Sequence, residues 1–487
     1  MRRALARRPI PGLDLIGSIL VSLAFTAAAM RTGLSTTLFG ALLLGSILLT
    51  LISPKAFALL VVVLAPLPSL GALVGRSIPL GLDPLDALVF IGLSVAVLRD
   101  RPLAVRRESR LVWLVALNLL ALAIAWYRTY GRGVNSSSLG LLVKPVIVVL
   151  AALSVLQLLE QKDLVPTVSR AMGWALVVIG FSVVLQRLGL YRTVHQSQYE
   201  QILGAKQYGG LMLNGNSAGV LFAVFALPTY VLLRKSGSLL LGRAVLVLAI
   251  AVLLISLSRS AIAGAAAGLL ALAVLKRRRL EGIRVALALA AVAAVGALTL
   301  GKAQLAQLKA SVSSYQTDPN GALSGRLAIW HQARAFLSSG NHLLFGGGLD
   351  SFKAYALASP LEHAFATHNE ALRLLTTGGV VMLALFVALV VGLWLLGRTP
   401  DPDLGLALRI ALLSLLVVGL TLDADVFDRA FTWLWLLVAL AAYERTLAAE
   451  AAASTAAMIR GAIASAPQGR SGARTASVKR SSEEAPT

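Results

Sequence analysis

Apolar stretches of the length of a membrane-crossing helix follow one another along most of the chain, from Leu13 to Ala448, with only short polar turns between most of them. A helix needs about 20 such residues to cross the hydrocarbon of a bilayer. In lipid the backbone must satisfy its own hydrogen bonds, which leaves helices and closed barrels as the spanning structures. Stretches of this length therefore predict an all-α polytopic membrane protein. The spans read as 13–30, 34–52, 56–75, 83–98, 110–127, 138–158, 168–188, 217–233, 240–257, 260–275, 283–301, 371–397, 404–422 and 430–448, about 12–14 helices in all. Composition agrees, since 57% of the 487 residues are hydrophobic and only 14% are charged; soluble cores do not require that much apolar matter. One membrane domain is expected over 1–448, with a long loop at 302–370 inside it. The segment 449–487, rich in Ala, Ser, Gly and Arg and without apolar periodicity, is expected to be a disordered cytoplasmic tail.

A net charge of +22 suggests nucleic acid only if its location is ignored. The basic residues sit mostly in loops and tails, where they meet lipid headgroups, and no nucleic-acid partner is expected. The N-terminal MRRALARRP precedes a long apolar segment without a marked cleavage site, which reads as an uncleaved anchor with its start in the cytoplasm. Alternation then puts RDRPLAVRRESR (99–110), RKSGSLLLGR (234–243) and KRRRLEGIR (276–284) on the inner side, as the positive-inside rule requires. The segments 189–216 and 302–370 fall outside. The chain has no cysteine, which excludes disulfides, thiolate nucleophiles and cysteine metal sites.

Polar residues gather at the outer side. From Leu239 to Leu275 the chain is almost wholly apolar. That length is nearly twice what one crossing needs, so it must fold back, and Ser256-Leu257-Ser258-Arg259-Ser260 is the expected turn. Arg259 there is either a functional cation or an arginine reaching lipid phosphate. In the loop 302–370, GRLAIWHQARAFL (325–337) has the spacing of an amphipathic helix lying on the membrane, with Trp330 at headgroup level and Arg326, His331 and Arg334 among its polar residues. FGGGLDSF (345–352) is a glycine turn that lets backbone approach closely. His331, His342, His363 and His368 all lie in this loop. Neither HExxH nor HxxxH occurs, and His363 and His368 are five apart, so no metal and no cofactor is expected; a histidine acting as a base is the sharper reading.

Four segments occur in a telling order: Asn214-Gly-Asn216-Ser and Ser258-Arg259-Ser-Ala, each opening a span; Gly325-Arg326 with Trp330, Gly346-Gly-Gly348 and Phe352; and His368-Asn369 with Gly379 ten residues after the asparagine. Together they resemble the O-antigen ligase and polymerase superfamily of bacterial cell-surface glycan enzymes. The family often has a small residue or tyrosine three positions after that glycine; Met382 stands there instead.

The resemblance implies a metal-independent glycosyltransferase with a GT-C-like multi-helix fold in the bacterial inner membrane. It would move a glycan from undecaprenyl diphosphate to a periplasmic-side acceptor, lipid A-core or a similar glycan, in lipopolysaccharide biosynthesis. His368 would be the catalytic base, and Arg259 and Arg326 would hold the donor diphosphate. Asn369, Ser258, Asn216 and Arg334 would support them. A polysaccharide polymerase acting on the same lipid-linked donor is the near alternative. A glycolipid transporter is the alternative from another class; it would need its charges near mid-membrane, whereas here they gather at the interface.

Overall fold

The computed structural model describes residues 53–67, 109–130, 137–159, 164–190, 208–212, 214–256, 258–275, 326–358, 367–422, 426 and 428–465. Among them the regular structure is all helix: α1 (Pro54–Leu64), α2 (Ser109–Tyr130), α3 (Ser137–Leu158), α4 (Leu164–Arg187), α5 (Gly215–Lys235), α6 (Leu239–Ser256), α7 (Arg259–Leu275), α8 (Arg326–Ser338), α9 (His342–Phe345), α10 (Ser351–Leu357), α11 (Glu370–Leu396), α12 (Pro402–Gly419) and α13 (Thr432–Ser465), with short 3-10 turns at Gly210–Met212 and Arg429–Phe431. Six of these, α2, α4, α5, α6, α11 and α12, are long and apolar enough to cross a membrane. The expected spans at 13–30, 34–52, 83–98 and 283–301 lie outside the described residues.

α5 is the centre of the bundle. Nearly every one of its side chains from Ala218 to Leu233 is apolar, and most are buried against α4, α6, α7 and α12. A helix apolar on all sides is stable only when surrounded. Phe225 meets the Trp433 ring edge-on at 5.5 Å, and the Trp433 indole donates to Val62 O at 2.7 Å, tying α13 to α1. On the opposite kind of surface, α2 exposes Trp113, Leu117, Leu120 and Ile124, a stripe suited to lipid.

Two contacts fix how the helices around the site approach each other. Gly264 and Gly268, one turn apart on α7, leave no room between α7 and α12: a Cβ would stand 2.5 Å from Val418 at the first and 2.5 Å from Ser414 Oγ at the second. Small residues at this spacing let membrane helices pack backbone to backbone. On the other side, the Asn118 amide of α2 donates to Leu385 O of α11 at 3.1 Å, an interhelical bond placed among apolar side chains.

Two expectations need correcting. α8 forms where the pattern predicts it, but its apolar face does not rest on lipid. Ile329, Ala333, Phe336 and Leu337 form a small core with Phe352 and Ala356 of α10, backed by Leu372 and Leu375 of α11. The Trp330 indole donates to Thr367 O at 3.0 Å and is thereby engaged within the protein. The tail is the second: α13 runs on to Ser465, so 449–465 is helical, not disordered. Its alanines have the highest helix propensity and extend a helix already nucleated by the preceding span. Residues 466–487 lie outside the described residues.

Candidate functional site

The helices α5, α7 and α11 begin at one end of the bundle, and α12 finishes there. α5 opens on Asn214, whose side chain accepts from the Asn216 N–H at 2.8 Å. One turn further, a Cβ on Gly219 would stand 2.7 Å from Ser256 Oγ and 3.2 Å from Ser258 Cβ, so the start of α5 is pressed against the α6–α7 turn. In that turn, Ser258 Oγ accepts from the Ala261 N–H at 3.4 Å and caps α7. α6 ending at Ser256 and α7 starting at Arg259 is the fold-back that the apolar length demanded.

Arg259 is the first residue of α7 and is exposed, between the buried Ser258 and Ser260. A cation is not what the positive end of a helix dipole prefers. The same place is suited to an anion, which the positive end of the helix dipole favours and a guanidinium can pair with. Ser260 is bonded to Thr421 just beyond α12, hydroxyl to hydroxyl, at 2.6 Å. The neighbouring Leu420 O accepts from the Asn369 amide at 2.9 Å. An unbroken run of bonds and adjacent residues thus joins the Arg259 turn to the mouth of α11.

His368 stands at that mouth with φ 50, in the left-handed region. A non-glycine residue there costs about 1–3 kcal/mol and persists where its surroundings over-determine it. They do so here. Trp330 holds Thr367 O, Thr367 Oγ1 donates to Asn369 O at 3.0 Å, and Asn369 Oδ1 caps α11 by accepting from the Leu372 N–H at 3.0 Å. Directly after comes Glu370, 5% exposed, which receives the Arg373 guanidinium in a two-pronged pair at 2.6 and 2.9 Å. Its carboxylate sits in the first turn, where the dipole favours negative charge.

The glycine turn docks on the side of this mouth. α11 is broken at Gly379 (φ 69, ψ −164), and the carbonyls of Thr376 and Thr377 just before the break accept from the N–H groups of Gly347 at 2.8 Å and Gly348 at 3.0 Å. Only glycines permit it: a Cβ on Gly379 would lie 2.2 Å from Leu344 O, and one on Gly346 (φ 63) would lie 2.3 Å from Thr377 O. α2 holds the other side, with Arg128 donating to Phe345 O at 2.5 Å and Thr129 Oγ1 to Leu349 O at 2.9 Å. Met382 fills the space that Gly378 leaves open, which accounts for a large residue at that position.

Of the residues singled out from sequence, Asn216, Ser258, Arg259, His368 and Asn369 come together at this end. Arg326 opens α8, one turn before the Trp330 that bonds Thr367, and so sits on the helix that supports His368. Arg334 is not drawn in: it is exposed and lies two turns along α8 from Arg326, about 12 Å. His331 is exposed, and His342 stacks on Phe336 at 4.5 Å with Nδ1 3.1 Å from Phe336 O. His363 lies outside the described residues. Sequence reasoning missed Arg128, Thr421 and the Glu370–Arg373 pair. The last had a signal, opposite charges three apart on a helix; the first two had none, because each acts through a partner more than a hundred residues away.

Among the described residues no group of three His, Asp or Glu side chains gathers as a metal site. Among the curated proteins nothing matches this chain. A family model described as O-antigen ligase does match, over residues 244–387. That span runs from α6 to the middle of α11 and contains Arg259, Arg326, the glycine turn and His368. Over that span the chain is similar to the O-antigen ligase family, whose members are glycosyl-transferring enzymes, in agreement with the resemblance read from its motifs.

Proposed function

We propose that the chain transfers a finished glycan from undecaprenyl diphosphate to lipid A-core or a similar glycan acceptor, on the periplasmic face of the bacterial inner membrane and without a metal ion. The observation that carries this reading is the bonded run from His368 and Asn369 through Leu420 and Thr421 to Ser260 beside Arg259. It supports the reading by tying the segment that carries His368 to the helix that opens on Arg259, at one end of the bundle.

The chemistry follows from those groups. The acceptor hydroxyl attacks the anomeric carbon and gives its proton to His368. The bond from that carbon to the diphosphate oxygen breaks, and its electron pair leaves with undecaprenyl diphosphate. Charge therefore grows on the leaving oxygen, where Arg259 and Arg326 stabilise it with guanidinium forks that match phosphate oxygens and stay charged. Cations fixed in advance at the place where charge develops supply much of a typical rate gain. The positive end of α7 adds to them. Neutral imidazole accepts a proton near neutral pH, and a mount at the start of α11 holds it still.

The test is incubation of the purified protein with a lipid-linked glycan and candidate acceptors. Glycan appearing on lipid A-core supports the ligase. Lengthened lipid-linked chains would replace it with a polymerase, and an unchanged donor in every mixture would overturn the enzyme reading.

A further inference from the structure

At the end of the bundle away from His368, α5 finishes on Arg234 and Lys235, α7 finishes on Leu275, and Gly397 to Asp401 turns the chain from α11 into α12. Between them lies a cavity of about 750 Å³. The 21 residues of α5 put it about 30 Å from the Asn216 end, so it is not part of the site above.

Its wall is built for an anion. Three arginines, Arg234, Arg398 and Arg409, line it with a single carboxylate, Asp403. Lys235 lines it too but is paired with Asp401. Arg409 is set two turns into α12, where an ionisable residue is costly and points to function. Its orientation is fixed: the guanidinium lies over the Trp394 ring at 5.3 Å, Nε donates to Trp394 O at 3.4 Å, and the stem crosses Gly397, where a Cβ would stand 2.9 Å from Nε. The apolar part of the wall is formed by Val231, Leu275 and Leu406, with Thr399 and Pro402 completing the lining. Beside Leu275, α7 exposes Leu270 and Val274 along one face, ready to lie against acyl chains.

A cavity with guanidinium groups at one side and an apolar wall at the other fits an amphiphile. We propose that it holds the phosphate group of an anionic lipid on the membrane face opposite the His368 mouth, with Arg398 and Arg409 on the phosphate oxygens and the acyl chains along α7. Basic pockets between membrane helices recognise such headgroups through charge and forked hydrogen bonds.

The experiment is native mass spectrometry of the full chain purified with phosphatidylglycerol or with phosphatidylcholine at equal concentration. The wild type should retain phosphatidylglycerol selectively. Arg398→Gln and Arg409→Gln should each weaken retention about tenfold, the loss expected for one charge-assisted contact. Arg170→Gln, at the same end but bonded to Ser238 outside the cavity, should retain it fully. Arg398 is exposed, so its variant keeps the test readable if Arg409→Gln folds poorly. A second arm measures thermal protection by inorganic phosphate in phosphatidylcholine. Protection there that Arg398→Gln removes would keep the phosphate site and overturn the lipid as its source. Equal retention of the two lipids by the wild type, or retention of phosphatidylglycerol unchanged in Arg398→Gln, would overturn the site.

Discussion

The side chain of Asn369 makes two bonds at once: its oxygen caps α11 at the Leu372 N–H, and its amide reaches Leu420 O at 2.9 Å across to the end of α12. The two can be separated by substitution. Asn369→Asp keeps a capping oxygen and loses the amide donor, so stability should change little while glycan transfer falls, because the α12 end and Ser260 lose their tie to His368. Asn369→Ala loses both and should cost about 1 kcal/mol of stability as well. Thermal unfolding read beside the transfer assay checks this; normal transfer by the Asp variant would show that the tie to Leu420 is dispensable.

The mouth at His368 and the cavity at Arg409 should face opposite sides of the membrane. Because the chain has no cysteine, single cysteines report cleanly. Ser338→Cys, on the exposed end of α8, should react with an impermeant maleimide in intact spheroplasts, and Pro400→Cys only after lysis. The reverse pattern would invert the topology and move the proposed chemistry to the cytoplasm.

The glycine turn and the break in α11 should stand or fall together. Gly379→Ala and Gly346→Ala each force a side chain into a left-handed conformation and into a backbone carbonyl 2.2 or 2.3 Å away. Gly237→Ala has the same sign of φ with open space around it, and is the control for conformational strain alone. That control should lose about 1 kcal/mol. Both loop variants should lose clearly more and show reduced transfer. Equal losses for all three would mean that the close approach between Leu344–Gly346 and Thr377–Gly379 is not maintained in solution.

Much of this was legible because membranes simplify the problem. The bounds of α4 to α7, α11 and α12 follow from apolar length, and the turn before Arg259 follows from a stretch too long for one crossing. The docking of α8 was not legible. An amphipathic helix carries the same spacing whether its apolar face meets lipid or Phe352 and Leu372, and only tertiary structure distinguishes them. The break at Gly379 was hidden for a similar reason: a glycine in an apolar span is tolerated, and the N–H groups that use the turned carbonyls of Thr376 and Thr377 come from Gly347 and Gly348, some 30 residues earlier in sequence. The long helix α13 was obscured by composition, since the alanine that marks low complexity also favours helix.

Arg259 and Arg326 should fail differently from residues that merely hold structure. Lysine keeps the charge at either position and loses the fork, so Arg259→Lys and Arg326→Lys should each weaken donor binding and slow transfer while the protein stays folded. Arg334→Lys, two turns away on α8, should be milder. Near-normal turnover in both of the first two variants would remove them from the donor site, whatever the Arg334 result.

His368 should be separable from the other histidines by chemistry and not by stability. In the left-handed conformation a side chain costs energy, so Ala there neither relieves the strain nor removes the cap and the Trp330 bond that impose it. His368→Ala should therefore express, fold and bind donor, and lose transfer by about 10²-fold or more, the contribution of a positioned proton acceptor. His342→Ala removes a ring stacked on Phe336 and should lower thermal stability with transfer largely retained. His331→Ala, on the exposed face of α8, should change neither. His368→Gly is the decisive companion, because glycine accepts φ 50 without strain. It should be as stable as the wild type or more so, and still inactive. Recovery of transfer in that variant would mean that residue 368 matters for its backbone alone and that another group takes the proton.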